Sequence, residues 1–433
     1  MKKFNLILVF AVLVAFTAGQ TAIAASSFSE KRNDQQQNYV ILKGKVVDKE
    51  TGNPLVFATV AVKESNVAIV TNIDGEFTLK MPPSSDPRSI EVSFLGFKNK
   101  IVAVSDLKEG KNKIELEAAP IPIKEIIVKP IDPVSIVINA IDNLSDNYES
   151  QANLMTSFYR ETIKKNRTYV SIGEAVVELF KAPYENDMRF DAARIYKGRK
   201  GSDVEKMDTV LFKLQGGPLS VLQLDLAKNT ESILTKESME YYDYSLSGVI
   251  EINGRPHYII NFIQKPKVDF PLFMGSLYID MDTYAISEAE FGYNLADKAQ
   301  AAALFIKKKP LGMEVTPEIA TYRTKYREQN GKWHFEYSRA EVRFRVNWKK
   351  KLFHTYYTTM SEIAVTDRTA EEVIKFAGKE KLKTTDVFSE KVTSFADPEY
   401  WGDYNVIEPD QSIESAIKRL SKKLKFSDMT SEQ

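Results

Sequence analysis

The chain has 433 residues, 59 Lys and Arg against 59 Asp and Glu, and no cysteine. This excludes disulfides, thiol nucleophiles and cysteine-ligated metals. It provides no basic excess for nucleic acid, so none is expected as a partner, and the length allows two or three hydrophobic cores.

Met1-Lys2-Lys3, an almost unbroken apolar run from Phe4 to Ala18, and Ala22-Ile23-Ala24 follow one another in the order of a secretory signal peptide. A cleaved leader over residues 1–24 is the reading, with a retained anchor as its rival. The run is short for a bilayer span of about 20 residues. The chain is therefore expected to be exported, periplasmic or outer-membrane-associated, with no transmembrane segment in the mature part. The C-terminal "KLKFSDMTSEQ" lacks the amphipathic strand that closes a membrane barrel. Residues 25–38 carry no apolar periodicity and read as a disordered leader.

From Tyr39 the pattern becomes that of short strands: "YVILKGKVVD", "LVFATVAV", "VAIVTN", "GEFTLKM", "SIEVSFLGFKNKIVAV" and "NKIELEAAP". Their spacing predicts an all-β sandwich over 39–118. The stretch "TNIDGEFTLKMP" (71–82) has the look of a calcium loop. Counting from Asn72, however, Phe77 stands where such a loop needs glycine, and no glutamate closes it. It reads instead as a hairpin turn with Gly75 at positive φ. Prolines 120, 122, 130 and 133 mark an extended linker. A helix follows, with Asp132 as N-cap and Val134, Val137, Ile138, Ile141 and Leu144 on one face. Linker and helix together span 119–150.

Residues 151–366 read as an antiparallel β-rich domain, a large curved sheet or half-barrel with helices, which makes the whole chain mainly β. Val342, Phe344, Val346 and Trp348 alternate with Glu341, Arg343, Arg345 and Asn347, the period of a half-buried strand. Asn253-Gly254 and Asp280-Met281-Asp282-Thr283 mark hairpin turns. A helix is expected over 217–234, with Leu219, Leu222, Leu226 and Ile233 on one side. Residues 367–433 read as a helical tail. One helix would be capped by Thr369 over "TAEEVIKFAGKEKL", and a second would cover "DQSIESAIKRLSKKLK".

"GKVVDKETGNPLVFATVAV", "TNIDGEFTLKMP" and "IEVSFLGFKNKIV" together resemble the carboxypeptidase-regulatory-like domain. The matching positions are Gly44, Val46, Asp48, Thr51, Gly52, Pro54, Leu55, Ala58, Val60, Thr71, Asp74, Gly75, Phe77, Leu79, Phe94, Gly96 and Phe97. The resemblance implies a transthyretin-type β-sandwich of the kind common in exported proteins of Bacteroidetes-type bacteria, often at the N-terminus of TonB-dependent transporters. "IKEIIVKP" is similar to the short strand that follows it there. No plug and no barrel-length series of strands comes next, so the resemblance ends at the first domain. "SFYRETIKKNRTYVSIGEAVVELFKAPY", "GSLYIDMDTYAISEAEF" and "DPEYWGDYNVIEP" resemble exported proteins in which this sandwich comes first. The hairpin style is similar to the lipoprotein-carrier half-barrels of the periplasm.

No residue is assigned a catalytic, cofactor-binding or metal role, and no cofactor is expected. The histidines are His257, His334 and His354, and none opens a His-x-x-Glu or His-x-x-x-His motif. His334 and Glu336 share a strand face, but no second motif completes a ligand set. Glu288 with Glu290, and Asp280 with Asp282, have strand spacing. They read as ordinary exposed acids, with paired-carboxylate chemistry as the alternative. Gly-x-Ser-x-Gly, phosphate-loop and dinucleotide signatures are missing from the sequence. Lys307-Lys308-Lys309 and Lys349-Lys350-Lys351 follow strand ends, as solvated loops or as contacts to anionic lipid. Arg160, Glu161 and Asp403 lie beside aromatics, as core-edge residues or a pocket rim. The functional reading is an exported, non-enzymatic binding or scaffolding protein of the bacterial envelope. Its sandwich would serve interaction with an envelope protein, and its β-rich domain would take an apolar or peptide-like ligand. The alternatives are an envelope hydrolase and a structural adaptor of an outer-membrane complex.

Overall fold

The computed structural model describes residues 12–14, 39–82, 89–108, 110–119, 132–186, 188–203, 212–229, 233–309, 311–349, 351–394 and 400–431. Most of the segment read as a leader, and the proline-rich stretch 120–131, lie outside the described residues. Within the apolar N-terminal run, β1 (Val12–Val14) is a short strand.

Seven strands make the N-terminal unit: β2 (Val40–Asp48), β3 (Thr59–Val62), β4 (Ala68–Val70), β5 (Glu76–Met81), β6 (Ser89–Ser93), β7 (Lys100–Ala103) and β8 (Lys111–Leu116). They form two sheets, β5-β2-β8 and β4-β3-β6-β7. Inward residues such as Val46, Val60, Phe77, Leu79, Ile90, Val92 and Leu116 are fully buried, as the alternation of a sandwich requires. The turn at Asp74-Gly75 is organised by Asn72, whose Oδ1 accepts from the N–H of Asp74 at 3.0 Å and of Glu76 at 2.8 Å. Gly75 takes φ +75°, and Phe77 and Leu79 enter the core behind it.

Helix α1 (Pro133–Asp142) starts as its sequence predicts: Asp132 accepts from Val134 N–H and Ser135 N–H, and Pro133 fills the first turn. After the short α2 (Leu144–Asn147) come β9 (Asn153–Lys165), β10 (Thr168–Lys181), β11 (Ala192–Ser202), β12 (Phe212–Leu214), α3 (Pro218–Leu222), β13 (Tyr242–Ile252), β14 (Arg255–Gln264), β15 (Phe273–Asp280) and β16 (Ile286–Tyr293). They are followed by α4 (Lys298–Phe305), β17 (Ile306–Lys308), β18 (Met313–Gln329), β19 (Lys332–Trp348), β20 (Thr355–Thr369), β21 (Thr393–Ser394) and α5 (Gln411–Ser431). Strand β1 sits between β12 and β17 in a small three-stranded sheet.

The large sheet has eleven strands in the order β13-β14-β15-β16-β18-β19-β20-β9-β10-β11-β21. Every pair is antiparallel except β11 with β21. It ends in two edges, β13 and β21, and so is not closed into a barrel. The β13–β14 turn has Asn253 at φ 52° and Gly254 at φ 73°, the twist-matched hairpin geometry that Asn-Gly favours.

Both faces of this sheet are covered. One packs against α1, α3 and the segment through Leu234: Val137, Val221, Leu224, Leu226 and Ile233 join Val342, Phe344 and Val346 in a single core. The opposite face packs against the sandwich. Phe158, Val176, Tyr337 and Ala364 of the sheet share a core with Val60, Ile90 and Val92, and with Trp401 and Ile407. A bulge makes this possible on β19. Phe335 pairs with Tyr326 and Tyr337 with Lys325, leaving Glu336 as the extra residue. The faces therefore exchange, with Phe335 in the first core and Tyr337 in the second.

Two helix expectations are corrected. Among the described residues of 217–234, only Pro218–Leu222 is α-helical. Beyond it, Asp225 and Lys228 turn their charged groups inward to buried partners, which one helical face could not combine with burying Leu222, Leu224, Leu226 and Leu234. No helix forms over 369–382. Strand β20 runs through Thr369, and the chain then crosses the sheet irregularly, with Phe376 packed by Phe180 and Ala192, and Leu382 N–H bonded to Ala193 O at 2.8 Å. Among the described residues the tail contributes one α-helix, α5.

A Cβ on Gly75 would lie 2.6 Å from Val46 O and 2.9 Å from Pro54 Cβ. Gly75→Ala is expected to destabilise the chain by more than about 1 kcal/mol, because strain adds to the left-handed backbone. Urea denaturation followed by circular dichroism measures this.

Candidate functional site

Where the sandwich covers the sheet, the strand register sets a row of opposite charges across five strands. Arg199 stands opposite Glu174, Glu174 opposite Arg160, Arg160 opposite Glu362, and Glu362 opposite Arg339. Ion pairs link them at 2.8, 2.9, 3.4 and 3.3 Å in that order. Arg160 is only 2% exposed, and its Nη2, which also faces Glu174, donates to Ile407 O at 2.7 Å. Tyr337 Oη donates to Glu362 at 2.9 Å. Buried charges persist when such a set is complete.

The alternation breaks once. Arg339 stands opposite Arg323, and the Phe57 ring of the sandwich is inserted there, 5.1 Å from one guanidinium and 5.9 Å from the other. Its negative π-face offsets the like charges. Phe57 has φ 64°, an uncommon backbone state for a bulky residue. It is held by stacking on Tyr337 at 5.4 Å and by Lys325 Nζ, which donates to Phe57 O at 3.0 Å and to Thr59 Oγ1 at 3.1 Å. Arg323 pairs onward with Glu290, and with Glu288 at 3.4 Å.

Two hollows flank this anchor. A cavity of about 580 Å³ lies between β3 and β6 of the sandwich and the β13–β14 and β18–β19 hairpins of the sheet. Glu91, Asn99, Arg255, Glu288, Arg327 and Glu336 contribute to its walls. Asn99 Nδ2 donates to Glu91 at 2.8 Å and to Asn253 Oδ1 at 3.3 Å, while Asn99 Oδ1 and Glu336 Oε1 are buried without a hydrogen-bond donor. A shallower groove of about 490 Å³ is floored by Phe291 and Tyr322 and edged by Arg323 and Arg339.

The residues weighed from sequence fall into structural roles. His334 has the Arg368 guanidinium against its Nδ1. Burial, then Arg368 and Arg327, push its pKa down to about 3, an environment that repels a metal cation. Glu336 accepts from Thr59 at 3.3 Å. His257 is buried with Nδ1 2.9 Å from Arg255 O, and burial lowers its pKa. His354 is exposed beside Tyr356. Asp280 fixes the β15–β16 turn, accepting from the N–H of Asp282 and Thr283 at 3.1 and 2.8 Å. The acids at strand spacing are thus not ordinary exposed ones: Glu288 and Asp280 are buried. Arg160 and Glu161 point to opposite faces, and Asp403 is exposed. On the helix-covered face, Glu161 accepts from Tyr159 Oη at 2.8 Å. Burial pushes its carboxyl up to about 8 against the lowering effects of Tyr159 and Lys200.

A second buried charge cluster gave almost no sign in sequence. Lys181 Nζ lies 2.7 Å from Asp191 and 2.6 Å from Asp225, and Lys228 Nζ lies 2.5 Å from Asp191. Tyr326 Oη donates to Asp225 at 2.8 Å. The available hint was a lysine inside the apolar run "AVVELFKAP".

These features define a seven-stranded β-sandwich seated on an open antiparallel sheet. Residues 42–128 match the family model of the CarboxypepD_reg-like domain, so the sandwich is a domain of that family. No curated protein matches the chain. Among solved structures, a DUF1329 family protein from Desulfovibrio piger aligns at 13% identity and TM-score 0.25, over 56% of this chain and 95% of its own. A putative outer membrane lipoprotein-sorting protein domain from Vibrio parahaemolyticus aligns at 10% identity and TM-score 0.24, over the same shares. Lipovitellin aligns at 9% identity and TM-score 0.24, over 58% of this chain and 28% of its own. Likenesses this loose carry no functional conclusion.

Glu161 gives a pH prediction. Its folded pKa is raised, so the folded state holds a proton that the unfolded chain releases above about 4.5. Its contribution is complete below that pH and is lost as pH rises towards 8, at about 1.4 kcal/mol per unit. Glu161→Gln is therefore expected to match the wild type near pH 4 and to be more stable above pH 8. Urea titrations across this range compare the two.

Proposed function

We propose that the chain is an exported, non-enzymatic binding protein of the bacterial cell envelope, periplasmic or outer-membrane-associated. Its sandwich (39–118) and β-rich domain (151–366) together hold a polar, peptide-like ligand at their seam. The observation that carries this reading is the 580 Å³ cavity, into whose wall two buried acceptors come without a hydrogen-bond donor: Asn99 Oδ1, and Glu336 Oε1, which Arg327 Nε faces at 3.9 Å. A peptide brings N–H groups to such acceptors. Its carbonyls and terminal carboxylate suit Arg255 and Arg327 in the same wall. Between apolar and peptide-like ligands, the polar lining supports the second. The apolar face of the sheet is already covered by α1, α3 and the chain up to Leu234. Export rests on the signal-like N-terminus.

Scaffolding is the second reading, favoured by the charge row and the inserted Phe57, which fix one domain on the other. The hydrolase reading is weaker. His257 and His334 are buried in structural contacts, with their basicity lowered.

Ser93 lines the cavity, and Ser93→Trp would fill part of it. With a mixed library of tetrapeptides carrying a free C-terminal carboxylate as probe, native mass spectrometry should find a subset retained by the wild type. Retention by the variant should be weaker by about tenfold or more, at an unchanged melting temperature. No retention by the wild type, or equal retention by both, would refute the reading.

A further inference from the structure

We propose that one end of the large sheet is a docking tip that seats the protein on an anionic phospholipid bilayer. It rests on the envelope placement given above, and it concerns a surface remote from the seam cavity.

Strands β18 and β19 are 17 residues each, and at their outer end Lys349 N–H bonds to Gly312 O at 3.0 Å. This holds the chain around 311 and the residues 349 and 351–354 side by side. The β9–β10 turn joins them through Asn166 N–H to Tyr356 O at 2.7 Å and Tyr356 N–H to Asn166 Oδ1 at 3.0 Å. Three large apolar side chains stand out from these loops: Leu311 is 103% exposed, Leu352 90% and Phe353 79%. Among the described residues Ile374, on the tail, comes next to Phe353 at 76%. Among the described residues, Lys309, Lys349 and Lys351 are exposed in the same loops, and Arg167 in the neighbouring turn, against one exposed acid, Glu314. The whole chain is charge-balanced, so this basic excess is local.

Apolar points between lysines match a membrane interface better than a protein face. A standard protein interface covers roughly 800 Å² per partner and has its apolar centre inside a polar rim. Here the apolar groups are isolated prongs on loop tips. Set into the boundary between headgroups and acyl chains, they leave water while the lysine stems extend to bring their ammonium groups to the phosphates. Each basic residue held near an anionic leaflet contributes about fivefold in affinity, reduced by salt.

The test is co-flotation of the full chain with phosphatidylcholine vesicles, with and without phosphatidylglycerol. The chain is expected to float with the anionic vesicles, and less so at high salt. The double variant Leu352→Ser with Phe353→Ser should lower partition by about tenfold or more at an unchanged melting temperature, because both side chains are exposed. The apolar N-terminal run is common to variant and wild type, so a local readout completes the design. In Phe353→Trp, the new indole should shift its emission to the blue on anionic vesicles and be quenched by brominated lipid. An unshifted emission, or equal flotation of the double variant, overturns the proposal. Vesicle binding and peptide retention are separate readouts, so the failure of one is distinguishable from the failure of the other.

Discussion

The row Arg199–Glu174–Arg160–Glu362–Arg339 is the interaction on which the arrangement of the whole chain depends. Its members lie on five strands, in register, on a face that the sandwich and the segment around Ile407 cover. Removing a charge from water is costly, and breaking such a set by deleting one partner typically costs about 3–5 kcal/mol. The row therefore acts as a specification. Only the register that places each Arg beside an acid leaves no buried charge alone, and a slip by one residue would turn every member to the other face. Where the alternation fails, at Arg339 and Arg323, the sandwich supplies the Phe57 ring. Covering the sheet and completing its electrostatics are thus one act. The strained Phe57 backbone marks the place where the first domain is fixed to the second.

The opposite face shows why a ligand site falls at the seam. An open sheet of this size has room for a guest, but here α1, α3 and the chain up to Leu234 fill that face. The Lys181–Asp191–Asp225–Lys228 cluster pins this covering in place from within. Space is left between the domains on both sides of Phe57, and the larger hollow is lined by polar side chains such as Glu91, Asn99, Arg327 and Glu336. Hollows of about 580 and 490 Å³ result.

The sandwich was legible in the sequence because its signals are local. Asp74-Gly75 and Asn253-Gly254 can adopt only a few turn shapes, Asp132-Pro133 is a complete helix start, and strand alternation spans five or six residues. The charge row was not legible. Arg160, Glu174, Arg199, Arg339 and Glu362 each look like the solvent half of a half-buried strand, as Glu341, Arg343 and Arg345 do. What buries them lies far away in the chain: the sandwich, which ends at residue 118, and the segment around Ile407. For the same reason Glu288 and Asp280 read as exposed acids, although both are buried. The helix expected over 369–382 had the right composition, but tertiary contacts of Phe376 and Leu382 override propensity there. At the sheet tip the lysines were visible as clusters. Leu311, Leu352 and Phe353 gave no such sign, because sequence pattern does not reveal exposure.

The central claim is that sandwich and sheet form one cooperative unit through the buried charge row. Hydrogen–deuterium exchange with mass spectrometry at increasing urea, on the wild type and on Arg160→Met, tests it most directly. If the claim holds, peptides from β3 and β6 lose protection at the same urea concentration as those from β9, β10 and β20. Arg160→Met then moves both sets together to lower urea. Release of the sandwich strands at a urea concentration of their own, with the large sheet still protected, would contradict it.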